Sequence, residues 1–217
     1  MGSQERRERE KQELREKILD AARVLFATEG VEATTMRRIA ERIEYSPTAI
    51  YLHFPDKNAL IHEMCVTDFG HLASKFQNLS RERDPFKRLR LAGQAYSDFA
   101  EEFPYSFKLM FLNKPVAEDP NPKDFGFGNP DTDAYAFLLA IIQECIEAKR
   151  LKPEHKDAEL VAQTVWAALH GVVALHLVLE HKDGPTKWRP IQKRIKAMLD
   201  LVIDGIERRQ VAETSAP

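Results

Sequence analysis

Residues 35–54 read TMRRIAERIEYSPTAIYLHF, and this stretch alone describes two short helices and the turn between them. Thr34 or Thr35 can cap the first helix, because a threonine hydroxyl there accepts an otherwise orphaned backbone N–H. Ile39, Ala40 and Ile43 then fall on one face. Ser46 followed by Pro47 is a second start signal: serine suits the cap, and proline suits the first helical position, where its missing N–H costs nothing. Only Glu44 and Tyr45 lie between, which allows a tight turn between crossing helices and nothing longer. Ala40 is small enough to let the two helices approach, with Ile39, Ile43 and Ile50 filling their shared core.

Outward from this pair the pattern stays helical. Upstream, Leu14, Ile18, Ala21, Ala22, Leu25 and Phe26 recur at helical spacing, and Gly30 is the expected left-handed cap. Downstream, Asp56 can cap a long fourth helix bearing Leu60, Met64, His71, Leu72, Phe76 and Leu79. Asp84-Pro85 opens another helix to about Glu102, and Pro104 one that ends near Asn113. Residues 114–130 are rich in Pro, Gly, Asn and Asp and read as one long loop. Helices follow at about 131–149, 157–180 and from Pro185 or Thr186 to Arg209, and the last seven residues read as a frayed tail. With no sustained period of two and no internal repeat, the fold class is all-α.

Two short helices held on a longer first helix, the second opened by Ser-Pro, have the layout of a DNA-reading helix-turn-helix. Arg37 and Arg38 support that reading, because a cation in a helix's first turn opposes the dipole by about a few tenths of a kcal/mol, which an arriving phosphate offsets. The run from Thr35 to Ile43, then Ser46 to Phe54, then Lys57 and Leu60, resembles the head of TetR-family regulators. The resemblance covers residues 12–72, with the helix-turn-helix at about 35–54. It implies that Thr35, Tyr51 and Lys57 touch phosphates, and that Pro47, Thr48 and His53 lie at or near base edges with Ser46 capping that helix. Arg37 and Arg38 complete the expected DNA-binding set, while Phe54 belongs to the core. The chain departs from the family at Glu44, where a glycine is common and where a positive φ would disfavour any other residue.

Charge by itself would not suggest DNA. The net charge is −2, and residues 1–60 hold eleven Lys and Arg against eleven Asp and Glu, so contact must come from local placement rather than bulk attraction. Forty-three per cent hydrophobic and thirty per cent charged residues are ordinary for a globular protein. Cys65 and Cys145 read as small buried thiols of a reducing compartment. The charged N-terminus has no signal-like apolar core, so a cytoplasmic protein is expected. Residues 161–179 are long enough to span a membrane, but Gln163, Thr164, His170 and His176 interrupt them, and a buried helix with no membrane partner is the reading.

For the second half, residues 84–210, the resemblance implies a helical regulatory bundle that binds a small-molecule effector and forms a homodimer through the last two long helices. Trp166-Ala167-Ala168-Leu169-His170-Gly171 resembles the Trp-x-x-x-His-Gly signature of one C-terminal subfamily. Trp166 and His170 share a helix face, and Gly171 beside them permits a close backbone approach; alternatively, His170 bonds a core carbonyl. Candidate pocket walls are Phe99, Phe103, Phe107, Met110, Phe111, Ile142, Cys145, Trp166 and His170, an apolar and aromatic set. His62, Cys65 and Asp68 lie at helical spacing, yet no metal or cofactor is expected from three ligand types on an ordinary helix. The expected function is a ligand-responsive repressor on a palindromic double-stranded operator. An activator with the same head, or a helical ligand carrier or enzyme, are the rivals, although no phosphate loop or nucleophile motif stands out for the last.

Overall fold

The computed structural model describes residues 2–112, 125–179 and 184–208. They form α1 (Ser3–Glu29), α2 (Met36–Arg42), α3 (Pro47–Tyr51), α4 (Lys57–Gln77), a 3-10 turn (Asn78–Arg81), α5 (Pro85–Glu102), α6 (Pro104–Phe111), α7 (Ala134–Glu147), α8 (Ala158–Leu179) and α9 (Ile191–Ile206). The class is all-α: the described residues contain no strand, only one antiparallel bridge between Leu151 and Glu207. Most of the expected 114–130 loop, the helix ends at Glu180 and Arg209, and the C-terminal tail lie outside the described residues.

The caps are the ones the sequence offers. Thr35 Oγ1 accepts the Arg38 N–H at 3.1 Å, Ser46 Oγ accepts that of Ala49 at 3.2 Å, and Asp56 Oδ1 accepts that of Ala59 at 2.7 Å. Asp84 caps α5 in the same way, through the Phe86 and Lys87 N–H groups. Gly30 differs from expectation. Its φ is positive (85°) but its ψ is 158°, so it occupies a region essentially reserved for glycine rather than the left-handed helical well.

The chain divides into two compact units, residues 1–68 with 105–124, and residues 69–104 with 125–217. The first is built around Ile18, Ala22, Leu25, Ile39, Ala40, Ile50, Phe54, Leu60 and Met64. Leu109, from α6, packs into this core, so α6 groups with the N-terminal helices and not with the helices that flank it in sequence. In the second unit α9 presents Ile191, Ile195, Leu199, Ile203 and Ile206 at turn-by-turn spacing to its core. A Cβ placed on Gly93 would stand 2.7 Å from Leu199 Cδ1, so the missing side chain lets α5 and α9 pack closely.

Two helical expectations need correction. α9 begins at Ile191, later than Pro185 or Thr186, because Pro190 cannot donate an N–H and disfavours helical backbone at Arg189. α8 is not a buried helix. Val161, Ala162, Val165, Leu169 and Val173 are buried, while Leu160, Leu175, Val178 and Leu179 are exposed. By length and composition it could cross a membrane, but its apolar residues divide into a packed face and an open one.

Candidate functional site

The turn between α2 and α3 sets their crossing. The Tyr45 N–H returns to the Ala40 carbonyl at 3.0 Å and the Glu44 N–H to the Glu41 carbonyl at 3.2 Å, the paired bonds of a Schellman ending. That ending places its hinge residue in the left-handed region, and Glu44 has φ 60°. The departure from glycine therefore leaves the turn's shape intact and strains its backbone. Replacing Glu44 with Gly should stabilise the protein by about 1 kcal/mol, measured by denaturant unfolding. Glu44→Gln, which removes only the charge, should leave stability nearly unchanged.

On this frame Ile50 turns inward and is fully buried, leaving Pro47, Thr48, Tyr51 and Leu52 outward. Thr48, Tyr51 and Leu52 lie on one face, three and four residues apart. Tyr51 is 52% exposed, which makes it a surface ring, whereas Phe54 is core. Arg37 and Arg38 project from the start of α2. Arg37 pairs with Glu41 at 3.3 Å and Arg38 with Glu29 at 3.2 Å, both at the surface. Such exposed pairs are weak and can be exchanged for a phosphate.

Two expected DNA contacts are held differently. The Lys57 ammonium donates to the Val31 carbonyl at 2.8 Å and the Thr34 carbonyl at 3.1 Å, tying the loop before α2 to the start of α4. His53 is half-buried and its Nδ1 has no hydrogen-bond partner among the described residues. Burial, with Arg15 and Lys11 adding repulsion, holds the imidazole pKa below its ordinary value. His53 is thus neutral near pH 7 and faces partly inward.

The structure also reveals a residue that sequence patterning does not single out. Arg15 on α1 donates to the His53 carbonyl at 3.1 Å, pairs with Glu63 on α4, and lies 4.3 Å from the centre of the Phe54 ring. One side chain therefore fixes the end of α3 against α1 and α4. Nearby, Arg23 reaches Asp68 Oδ2 at 2.8 Å and Ser106 Oγ at 2.9 Å, joining α1, α4 and α6. Asp68 is 2% exposed, and its carboxylate is occupied by Arg23 rather than grouped with His62 and Cys65. Cys65 and Cys145 are free thiols whose pKa values burial raises to about 12, which makes them unreactive.

The nine expected pocket residues fall in both units. Phe107, Met110 and Phe111 belong to the first, where Phe107 is buried and its ring centre lies 4.9 Å from that of Phe111, the rings tilted by 50°. The other six belong to the second. There Phe99, Ile142 and Cys145 are buried, and Phe99 and Phe103 have ring centres 5.4 Å apart. Trp166 and His170 come together on the hydroxyl of Tyr96. His170 Nδ1 lies 2.9 Å from that oxygen, and Trp166 donates its Nε1–H to it at 3.4 Å. This tyrosine hydroxyl is a partner of His170 among the described residues. Burial lowers the His170 pKa and raises that of Tyr96, keeping both neutral. Tyr135 closes on the same indole at 5.8 Å. Gly171 meets nothing within 4 Å where a Cβ would stand, so the close approach expected of it is not made among the described residues.

Two family descriptions match the chain: bacterial regulatory proteins of the tetR family over residues 18–64, and the tetracyclin repressor-like C-terminal domain over residues 89–201. The chain is 32% identical over 187 residues to the nucleoid occlusion factor SlmA of Edwardsiella ictaluri (strain 93-146), covering 83% of this chain and 91% of that protein. It is 27% identical over 169 residues to the "Probable acrEF/envCD operon repressor" of Escherichia coli (strain K12), covering 73% and 74%. Among solved structures, the TetR family transcriptional regulator PfmR from Thermus thermophilus superposes with a TM-score of 0.67 at 24% identity, covering 88% of this chain and 99% of that one.

Proposed function

Because the chain belongs to the tetR family of bacterial regulatory proteins, we propose that it is a ligand-responsive repressor that binds a palindromic operator as a homodimer and leaves it when a mostly hydrophobic effector binds. It is a DNA-binding transcriptional regulator with a helix-turn-helix, and its family binds operators and small-molecule effectors as dimers. Residues 12–72 act as the DNA-binding head and 84–210 as the regulatory and dimerising part, in the cytoplasm, with no catalytic role. The observation that carries this reading is the outward face of α3, Pro47, Thr48 and Tyr51, set on a tightly capped helix pair whose inner face is core.

In this reading Thr35, Tyr51 and Lys57 meet the DNA backbone, Arg37 and Arg38 exchange their carboxylates for phosphates, Pro47 and Thr48 lie at the base edges with His53 near them, and Ser46 caps the helix that carries them. Two such heads on a twofold axis read two half-sites, which gives a short recognition helix its specificity. The open face of α8, together with Leu201 (76% exposed) and Gly205 on α9, supports dimerisation through these two helices. Tyr96, His170 and Trp166, the last two from the segment that resembles the Trp-x-x-x-His-Gly signature, would supply the polar handle of an otherwise aromatic effector pocket. An effector that shifts α4, which runs from the head into the second unit, by about 1–3 kcal/mol of coupling would suffice for control.

The test is selection of bound duplexes from a random library, followed by salt titration of the recovered site. A palindrome with steep salt dependence is expected, and replacing both Arg37 and Arg38 with Ala should lower the slope of log affinity against log salt by about two. Absence of enrichment at low salt would refute the reading.

A further inference from the structure

In the major groove guanine is read in bidentate fashion by Arg or Lys, adenine by Asn or Gln, and cytosine by Asp or Glu, while thymine alone offers a methyl group to apolar side chains. The segment 46–54 contains none of the first six residue types. Ser46 holds its oxygen on the Ala49 N–H, Ile50 and Phe54 are core, and His53 is half-buried with its Nδ1 enclosed. What remains outward is Pro47, the methyl and hydroxyl of Thr48, Tyr51, and Leu52, which at 80% is the most exposed large apolar side chain in the described residues. Leu52 lies one turn from Thr48 on the same face. Arg37, Arg38 and Arg42, all exposed on neighbouring α2, supply the charge that a phosphate-lined surface requires. An apolar strip beside cations fits a groove whose floor is apolar at specific points and whose walls are anionic.

We infer that the operator half-site presents thymine methyl groups to α3, and that Leu52, with Pro47 and Thr48, reads them. This rests on the regulator reading above and names the bases that the same surface takes. Reading by apolar contact makes α3 selective for A·T pairs at the positions it covers, while the arginines of α2 anchor the backbone without regard to sequence.

The experiment uses the full chain and the duplex recovered by selection. Each thymine of the half-site is replaced in turn by deoxyuridine, which keeps base pairing and removes only the 5-methyl group. Binding should weaken about fourfold for each methyl that α3 covers. Leu52→Ala should bind the thymine duplex more weakly and lose the deoxyuridine penalty at one position, with its salt slope and unfolding midpoint unchanged. A recovered palindrome whose strongest positions are G·C, or whose affinity is indifferent to deoxyuridine, would overturn the inference while leaving the regulator reading in place. Failure to recover any palindrome would overturn both.

Discussion

Replacing Arg23 with Leu should cost about 3 kcal/mol of unfolding free energy, read from urea denaturation, because it leaves the Asp68 carboxylate buried without its cation. Asp68 sits at 2% exposure with Arg23 at 2.8 Å, and the same guanidinium nitrogen donates to Ser106. The pair is not valuable because salt bridges are strong in general. Its worth lies in what a lone buried carboxylate costs once the partner is gone. The double variant Arg23→Leu with Asp68→Leu should therefore recover much of the loss. A single variant that loses less than about 1 kcal/mol would mean that Asp68 reaches water when Arg23 is absent. The same change cuts the polar tie between α6 and helices α1 and α4.

A second large effect is expected on the open face of α8. Leu175→Glu combined with Val178→Glu places two carboxylates where the proposed partner helix packs, on side chains that are exposed in the single chain. The variant should fold with unchanged helix content, sediment as a monomer, and bind the palindrome at least about a hundredfold more weakly, since each head then pays for its own encounter with DNA. Retention of a dimer would place the interface elsewhere on the molecule.

Much of this was legible from local chemistry. Thr35, Ser46, Asp56 and Asp84 act as caps because a side chain placed before a helix reaches N–H groups two or three residues on, and nothing distant is needed to decide it. The packing of Ile39, Ala40 and Ile50 follows from periodicity in the same way. The strain at Glu44 could also be anticipated, since the two-residue gap leaves few backbone routes. By contrast, Arg23, Asp68 and Ser106 are separated by 45 and 83 residues, and no spacing rule joins them. The anchoring of Lys57 on two loop carbonyls was invisible for the same reason. The hydropathy of α8 announced an apolar helix but could not say that its own chain covers one face only. For the second half the aromatic residues were easy to collect, while the meeting of Trp166 and His170 on the Tyr96 hydroxyl depends on α5 packing beside α8.

The most direct test of the central claim is to titrate the full-length protein onto the selected palindrome and count chains per complex by sedimentation, with a scrambled duplex as reference. Two chains are expected on each palindrome, with half-sites about one helical turn or a multiple apart and affinity at least about a thousandfold above the scrambled sequence at physiological salt. Equal affinity for both duplexes, or a specific complex containing a single chain, would contradict it.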